Sequence, residues 1–577
     1  MSDNAPSPAP QIDPVTGQPI APAAAPPAPA PAPASPPPAA KGPIDEAGHV
    51  QVDRSKMDDA LRTRVIVAGI DLGTTYSAIA YLDEHGKPAV IPNSDNDRIT
   101  ASVIMFEEGE AIVGRIAKQS AVSDPENVVQ FIKREMGNAD WKKDFFGIPH
   151  TPQSLSALIL KRVVDDASNY LNQPIKHVVV TVPAYFGDAE RNATRLAGEI
   201  AGLNVIGILN EPTAAALAYG LDNLEKDQTV MVYDLGGGTF DVTVLKINKG
   251  NVQVLATDGE VQLGGKDWDD ELINWMAEEF QTEFGSDPRD DLDSYQMMRE
   301  IAENAKIALS KKPKAKILCQ CGGKTLKREI DREKFEDITR SLLQQTETYL
   351  PIVLEKAKIG WSQIDSLLLV GGSTRMPAVK EMLRRVSKIE PDDSVNPDEC
   401  VALGAAIYAT LLKLKGVAGI DLGADEYIPE PVAATVRKLD IVNVTGHSLG
   451  IVAKISGKDK NVVMIPQQTP LPAKKSLQFG TEVDNQAKVD IKVVEGESEN
   501  PEECVQIGTC SITDLPPRPA GARIEVSLHY NEEGRIEVTA KDMTSGRSVK
   551  TEIKRDGGMN KKEIEAAKEA VAETTIS

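Results

Sequence analysis

Two segments of the sequence share one pattern, and this repeat restricts the fold more than any other feature. Residues 69–77 (GIDLGTTYS) and 232–241 (VYDLGGGTFD) each carry Asp-Leu-Gly directly after a short apolar run. An apolar run that ends in a glycine turn indicates a buried strand that folds back as a hairpin. The repeat therefore predicts two related lobes, each presenting a strand, a tight turn and a return strand to a shared cleft.

Glycine turns of this kind are suited to binding phosphate. Without a Cβ, the backbone N–H groups can approach phosphate oxygens, and the threonine hydroxyls add further donors. Asp71 and Asp234 would repel bare phosphate, so they fit such a site only if Mg²⁺ and its waters lie between the carboxylates and a nucleotide. One such turn is equally consistent with an ordinary tight turn, whereas two in tandem favour a phosphate clamp. Residues 419–423 (GIDLG) lack the threonines and a following strand, so we interpret them as connector.

A third glycine segment, residues 371–377 (GGSTRMP), follows an apolar run that ends at Val370. Exposed backbone at the end of such a strand is a place where a nucleotide base and ribose can rest. An ordinary strand-to-helix turn has the same sequence character. By itself the segment therefore does not decide between the two.

Changes in patterning divide the chain into five parts. Residues 1–62 are rich in alanine and proline and are predicted to form a disordered tail, as a spacer rather than a ligand for a proline-recognising domain. Strand and helix signals alternate over residues 63–414, which predicts an α/β domain. Residues 415–442 are interpreted as connector and linker, and residues 443–556 alternate with a period of two, which predicts a β-sandwich. Asn560 as N-cap predicts one short helix within residues 557–577.

Composition excludes several classes of function. The net charge of −22 repels phosphate backbones, so nucleic-acid binding is not expected. The N-terminus lacks signal-peptide character and no stretch is apolar enough to span a bilayer, so neither secretion nor a membrane partner is expected. Five cysteines are few and odd in number for a disulfide framework, which favours a reducing compartment. Cys319 and Cys321 are not accompanied by a second ligand pair, so we interpret them as structural.

Together with residues 182–186 (VPAYF) and 210–216 (NEPTAAA), the three glycine motifs resemble the seventy-kilodalton heat-shock chaperones, the DnaK-like family. The resemblance runs from about Val65 to Asp556. It implies an α/β actin-like two-lobed ATPase domain, a mostly antiparallel β-sandwich domain and a short C-terminal helix. The implied function is that of a cytoplasmic stress-response chaperone in which ATP hydrolysis is coupled to binding and release of unfolded or extended polypeptides. The implied ligands are ATP or ADP, Mg²⁺ and K⁺, and the implied protein partners are a J-domain co-chaperone and a nucleotide exchange factor.

The same resemblance assigns the catalytic roles. Lys118 matches the family's catalytic lysine, where a cation orients the attacking water and offsets charge at the γ-phosphate. Asp71 and Asp234 match the carboxylates that hold Mg²⁺ through water and that bind K⁺. Glu211 and Asp241 match groups that support the metal and the water.

The resemblance also assigns the residues that contact nucleotide. Thr74 and Thr239 match residues that touch the γ-phosphate, and Glu303, Lys306 and Ser310 match residues that grip adenosine. The remaining residues implied to bind the nucleotide are Gly73, Thr75, Tyr76, Gly236, Gly237, Gly238, Gly371, Gly372, Ser373, Arg375 and Asp398.

In the β-domain the resemblance implies an apolar groove for an extended peptide, held through backbone hydrogen bonds and a pocket near Val489. The matching apolar positions are Ile451, Phe479, Val489, Ile491 and Ile524. Without the resemblance, ordinary sheet core would be the favoured interpretation. Pro183 and Arg191 match the switch that reports the nucleotide state to the linker.

Three departures from the family pattern bear on this function. The linker position Asp440 interrupts an apolar run, and a buried Asp440 would need a partner or a shifted pKa, which predicts weaker docking. The two side chains that arch over the groove correspond to Lys454 and Glu482, which are predicted to form an ion pair. The chain offers far fewer residues after Asn560 than the family's helical lid needs, which predicts an open groove and fast peptide release, even with ADP bound.

Two alternatives stay open at this point. A sugar kinase has the same phosphate hairpins, because fold does not fix function, but it does not explain the β-domain. A nucleotide-gated adaptor that holds one particular partner without refolding it agrees with the altered linker and the short lid.

Overall fold

The structure, a computed structural model, describes residues 65–220, 226–248, 250–416, 436, 439–531, 535–553, 559 and 561–577. The predicted tail, most of the predicted connector with residues 419–423, and the predicted N-cap Asn560 lie outside the described residues. The described residues belong to one compact unit.

The first lobe is built around a hairpin whose strands flank the first glycine turn. Strand β1 pairs antiparallel with β2 and parallel with β10, and the sheet order is β11-β10-β1-β2-β3, with β4 joined to β2. The strands are β1 Val67–Asp71, β2 Tyr76–Leu82, β3 Pro88–Val90, β4 Thr100–Ala101, β5 Val103–Glu107, β6 Glu110–Val113, β7 Val128–Gln130, β8 Lys143–Phe145, β9 Ile148–His150, β10 His177–Val182 and β11 Asn204–Asn210. The helices are α1 Arg115–Ser120, α2 Pro152–Leu171, α3 Asp188–Ile200 and α4 Glu211–Gly220.

The second lobe repeats this arrangement, as the sequence repeat predicts. Strand β12 pairs antiparallel with β13 and parallel with β17, and β14 extends the sheet beyond β13. The strands are β12 Gln228–Leu235, β13 Phe240–Asn248, β14 Asn251–Glu260, β15 Lys314–Cys321, β16 Lys324–Asp331 and β17 Ser366–Val370. The helices are α5 Gly265–Phe284, α6 Leu292–Lys311, α7 Arg332–Ile338, α8 Arg340–Ala357, α9 Pro377–Ser387 and α10 Cys400–Leu414.

Helix α10 returns to the first lobe and packs against β1 and α4. Gly69 and Gly404 permit this close approach, because a Cβ on Gly69 would overlap the backbone of Ala406 and one on Gly404 would overlap that of Ala214. The inner faces of the two sheets share one apolar core with α4 and α10, while α2 and α3 cover the first sheet and α5, α6, α8 and α9 cover the second. Both glycine turns are thus fixed by strands that are buried on two faces.

Local sequence explains why α2 forms. Thr151 is the N-cap, its hydroxyl accepts from Ser154 N–H at 3.2 Å, and the Ser154 hydroxyl accepts from Thr151 N–H in return at 2.9 Å. Pro152 occupies the first turn, where its missing N–H has no cost, and Asn172 ends the helix in a left-handed conformation. The apolar residues Leu155, Leu158, Ile159 and Val163 recur at helical spacing and are buried in the core.

Beyond the lobes, the chain forms two four-stranded antiparallel sheets with a common apolar core, which we call the β-domain. The sheet orders are β20-β19-β22-β23 and β21-β24-β25-β26. The strands are β19 Leu449–Ile455, β20 Lys458–Ile465, β21 Ala473–Gly480, β22 Val489–Glu495, β23 Val505–Ile512, β24 Arg523–Tyr530, β25 Ile536–Asp542 and β26 Ser548–Glu552. The period-two pattern follows from these strands, because each has one face in the core.

Two short strands and one helix flank the β-domain in the chain. The linker strand β18 Asp440–Val442 precedes the β-domain, and α11 Lys561–Glu573 and β27 Thr575–Ile576 follow it. Short 3₁₀ turns occur at Pro125–Asn127, Ile132–Glu135, Pro288–Asp290, Trp361–Gln363, Gly372–Arg375 and Pro501–Glu503.

Candidate functional site

The two glycine turns face each other and are in contact. A Cβ placed on Gly237 would overlap the side chain of Thr75, and one placed on Gly238 would overlap that of Thr74. The second turn is closed by a hydrogen bond from Gly236 N–H to the carbonyl of Thr239 at 3.0 Å. Only glycine allows the two turns to approach so closely. Because the turns lie side by side, their backbone N–H groups and threonine hydroxyls line the same cleft.

The third glycine segment joins this cleft from the second lobe. Gly371 adopts a φ of 80°, which favours glycine, and the Ser373 hydroxyl donates to the carbonyl of Gly236 at 2.9 Å. Arg375 pairs with Asp398 at 2.6 Å, and Lys306 donates to the carbonyl of Gly265 at 2.7 Å. The segment therefore stands beside the second turn, as expected for a wall of a nucleotide site.

Acidic side chains gather at the base of the cleft around one buried lysine. Lys133 Nζ donates to Glu211 Oε1 at 2.6 Å, and both side chains are buried. Asp234 and Asp241 are also buried, and Asp71 accepts a hydrogen bond from Thr181 Oγ1 at 3.4 Å. One ammonium thus contacts Glu211 and lies near three further carboxyl groups, so the cluster carries an excess of negative charge.

Burial and this excess of negative charge raise the pKa values of the carboxyl groups. Burial, together with repulsion from Glu211, raises the pKa of Asp71 to about 7 and that of Asp241 to about 7, and raises the pKa of Asp234 well above its usual value. Burial alone would lower the pKa of Lys133, but Glu211 and Asp71 outweigh it and hold that pKa above its usual value. Lys133 therefore stays a cation, but its single positive charge does not balance the negative charge of the carboxylates near it.

The cluster fits a magnesium ion that approaches with its waters. A divalent cation favours ionised oxygen ligands and would reverse the elevation of these pKa values. Within the described residues, no three His, Cys, Asp or Glu side chains form a group that holds a metal ion directly. The residues that would face a hydrated ion are Asp71 and Asp234, one beneath each glycine turn.

The structure places the predicted catalytic lysine at the side of the cleft. Lys118, predicted for that role, lies at the side of the cleft, where its Nζ donates to Glu303 Oε1 at 2.7 Å and to Tyr76 Oη at 2.8 Å. Lys118 belongs to the first lobe and Glu303 to the second, so this ion pair bridges the cleft. Lys133 lies instead among the carboxylates at the base of the cleft, where its Nζ contacts Glu211.

The cleft between the lobes has a volume of about 890 Å³, at the upper end of the range for small-molecule sites. Most predicted site residues line it together: Asp71, Gly73, Thr74, Thr75, Tyr76, Lys118, Glu211, Asp234, Gly236, Gly237, Thr239, Glu303, Lys306, Ser310, Gly371, Gly372, Ser373, Arg375 and Asp398. Asp241 and Gly238 are not among its lining residues. The sequence prediction did not include Lys133, Gln130, Phe131, Asp269 or Arg299, which also line the cleft and lie in segments without a recognisable motif.

Asp241 belongs to the carboxylate cluster but does not line the cleft, and its carboxylate binds a loop that contacts the β-domain. Its carboxylate accepts from Ala184 N–H at 3.0 Å and from Tyr185 N–H at 3.2 Å, next to the predicted switch residue Pro183. The Tyr185 ring packs edge-on against His447 of the β-domain, with ring centroids 4.5 Å apart. A contact path therefore runs from the carboxylate cluster to the second domain.

The other predicted switch residue, Arg191, braces the same segment. Its Nε donates to the carbonyl of Phe186 at 2.9 Å, and one terminal nitrogen donates to Ala184 O at 3.1 Å and to Asn210 Oδ1 at 2.7 Å. Glu495 of the β-domain accepts from Asp188 N–H at 3.3 Å beside it. Arg191 thus fixes the loop on which the β-domain rests.

The linker docks without burying its aspartate. Strand β18 pairs parallel with β14, and Asp440 N–H donates to Gly250 O at 3.0 Å. The Asp440 side chain is 66% exposed and lies 3.9 Å from Lys415 Nζ. The Asp440 carboxylate is therefore not buried, because the register of β18 against β14 directs it to solvent.

The predicted groove residues lie in the core of the β-domain. Ile451, Ile491 and Ile524 are buried between the two sheets, and Phe479 and Val489 are half-buried against the same cluster. The two predicted arch residues form an ion pair, with Lys454 Nζ 3.1 Å from Glu482 Oε2. The structure therefore brings the five apolar residues together in one cluster.

Fold and site together define a class: a nucleotide-binding protein with two related lobes, joined by a docked linker strand to a β-domain. An Hsp70 protein family model matches residues 67–575. The chaperone protein DnaK of Thermotoga petrophila is 44% identical over 490 residues, which cover 83% of this chain and 79% of the relative, and those of Thermotoga maritima and Thermotoga neapolitana match equally. The chain therefore belongs to the Hsp70 family, and it is an ATP-dependent chaperone with ATPase activity. None of the described helices has the length and apolar character needed to cross a membrane.

Proposed function

We propose that the facing glycine turns hold the phosphates of ATP and that the carboxylate cluster beneath them holds its magnesium ion. The observation that supports this most strongly is the contact of the two turns above Asp71 and Asp234. Backbone N–H groups of both turns and the hydroxyls of Thr74 and Thr239 bind the phosphates. Glu303, Lys306, Ser310, Gly372, Ser373 and Arg375 surround adenosine, and the lobes take the actin-like arrangement.

In this proposal Lys133 is the catalytic cation, in place of Lys118. Its pairing with Glu211 fixes Nζ at the base of the cleft, where it offsets charge on the γ-phosphate and orients the attacking water. Bound Mg²⁺ supplies the positive charge that lets a triphosphate approach the carboxylates. K⁺ binds to the same carboxylates, and Asp241 transmits their state to the loop at Pro183.

We further propose that the β-domain binds an extended segment of unfolded polypeptide. Ile451, Phe479, Val489, Ile491 and Ile524 form the apolar groove once the two sheets separate at this edge, and Lys454 and Glu482 close over it. A J-domain co-chaperone and a nucleotide exchange factor serve as partners. All five cysteines are free thiols in the structure, which agrees with a reducing, cytoplasmic compartment.

Adding an extended apolar peptide is expected to raise the steady-state rate of ATP hydrolysis severalfold. Peptide in the groove disturbs the β-domain, and the contact path through His447, Tyr185 and Asp241 carries the change to the carboxylates. The measurement is phosphate release with and without peptide, with a polar, glycine-rich peptide of equal length as control. Equal rates in all three conditions would refute the coupling, and phosphorylation of a sugar panel would favour a kinase.

Reversing one charge of the arch is expected to speed peptide release about two- to fivefold, the range for an exposed ion pair. Lys454→Glu places two carboxylates at the position of the pair, whereas the double variant Lys454→Glu/Glu482→Lys restores it in reverse. Stopped-flow displacement of a labelled peptide at low and high salt measures the effect. An arch role is contradicted if release is independent of salt and Lys454→Ala behaves as the unaltered protein.

A further inference from the structure

The last residues of the chain extend a sheet of the first lobe. Strand β27 pairs parallel with β6, with Thr575 opposite Glu110 and Ile576 opposite Ala111. Beyond the strand, Ser577 N–H donates to Ala111 O at 3.2 Å, and Val113 N–H donates to Ser577 O at 3.0 Å. The sheet order becomes β27-β6-β5-β7, so β6 is an interior strand instead of an edge. We call residues 561–577, which include α11 and β27, the C-terminal clasp.

The clasp is anchored in the core of the first lobe. Val571 of α11 is only 1% exposed, and Ala567 and Ile576 pack partly buried against the same cluster. Helix α11 lies against α2 and α3, which cover the first sheet. Backbone pairing and apolar burial thus hold the clasp in one register, since a slip by one residue would turn Ile576 away from the core.

The strand that receives the clasp leads directly into the wall of the cleft. Gly114, with a φ of 111°, turns the chain from β6 into α1, and its carbonyl accepts from Lys118 N–H at 3.1 Å. The Lys118 side chain then forms the ion pair with Glu303 of the second lobe. The N–H of Val113 donates to the clasp, and only Gly114 and the first turn of α1 separate Val113 from Lys118.

We propose that the C-terminal clasp sets how long the cleft retains a nucleotide, by holding β6 and α1 where Lys118 bridges to Glu303. Without the clasp, β6 becomes an edge strand with unpaired backbone groups at Ala111 and Val113, and α1 gains freedom. The bridge then forms for a smaller fraction of time, and the lobes part more readily. This inference rests on the nucleotide site proposed above. Ile576 and Ser577 become positioning residues that act through Lys118.

The test follows dissociation of a fluorescent ADP analogue from the Mg²⁺-loaded full chain during a chase with excess ATP. Ile576→Asp places a charge against the core and expels β27, and we expect dissociation about three- to tenfold faster. Ser577→Pro removes the N–H that binds Ala111 and is expected to give a smaller acceleration of about twofold or more. Ser577→Ala, which also lacks the hydroxyl but keeps the N–H, is the matched control and should not differ from the unaltered chain.

A double-variant cycle with Glu303→Gln decides whether the clasp acts through the bridge. Once the bridge is broken, Ile576→Asp should change the dissociation rate by less than about twofold. The proposal would be overturned if Ile576→Asp and Glu303→Gln changed the ADP dissociation rate by independent factors that multiply. It would also be overturned by an unchanged ADP dissociation rate in an Ile576→Asp variant whose Val113 amide has lost its protection from hydrogen exchange. If Ile576→Asp does not fold, the Ser577→Pro and Ser577→Ala pair decides, and equal rates for the two refute the inference. A chain that fails to bind the analogue at all would refute the proposed nucleotide site instead.

Discussion

Replacing Lys133 by alanine is expected to lower the rate constant for ATP hydrolysis by about a hundredfold to a thousandfold, while the affinity for ATP changes far less. The side chain is buried near Glu211, Asp71 and Asp234, and the pKa of Lys133 is held above its usual value, so in the proposed site it is a fixed cation beside the phosphates. Losing a preorganised charge that acts mainly in the transition state has an effect of this size. Single-turnover hydrolysis with preloaded ATP measures it without a contribution from nucleotide release.

Lys118→Ala is the matched control, because it removes the other lysine of the same cleft. Its hydrolysis rate should remain within about threefold of the unaltered protein, and its ADP release should be faster, since the bridge to Glu303 is lost. Circular dichroism and thermal unfolding establish that both variants fold. The opposite result, a large loss in Lys118→Ala and none in Lys133→Ala, would restore the role that the sequence predicts for Lys118.

The second large effect is an increase of the Mg²⁺ affinity with pH, which follows from the raised pKa values of the carboxylate cluster. In the absence of a cation, Asp71, which would face the ion, has a pKa of about 7 and is largely protonated at pH 6, and the pKa of Asp234 is raised well above its usual value. A divalent cation needs the ionised form of these carboxyls, so its binding expels protons, and the affinity for Mg²⁺ with ADP must rise with pH. The ionisation of Asp71 by itself increases this affinity about tenfold between pH 6 and pH 8. Magnesium titrations at fixed ADP, in two buffers of different ionisation enthalpy, measure both affinity and proton release. An affinity that falls toward pH 8 would contradict this charge balance.

The sequence predicts those parts of the fold that local pattern determines. The Asp-Leu-Gly repeat predicts both hairpins, because a buried strand with a glycine turn has few other structures available. Alternation in residues 489–493 and 524–528 predicts strands of the β-domain in the same way. These elements are recognisable because neighbouring residues determine them, and the structure shows strands in all of these segments.

The parts that depend on distant contacts were not predictable in this way. Lys133 lies in a short 3₁₀ turn without a motif, and it enters the site because the fold brings that turn against Glu211, 78 residues further along the chain. Asp440 interrupts an apolar run, yet the pairing of β18 with β14 directs its side chain to solvent. Likewise, nothing in residues 575–577 indicates a strand, since β6 supplies the pairing. In each case the deciding partner lies far away in the sequence.

The measurement that tests the central claim most directly is calorimetric titration of the purified chain with ADP, with Mg²⁺ and with a chelator. We expect one ADP bound per chain when Mg²⁺ is present, and an affinity at least about a hundredfold weaker without it, because uncompensated carboxylates then face the phosphates. No binding in the presence of Mg²⁺, or the same affinity in its absence, would contradict a site made from two facing glycine turns above Asp71 and Asp234.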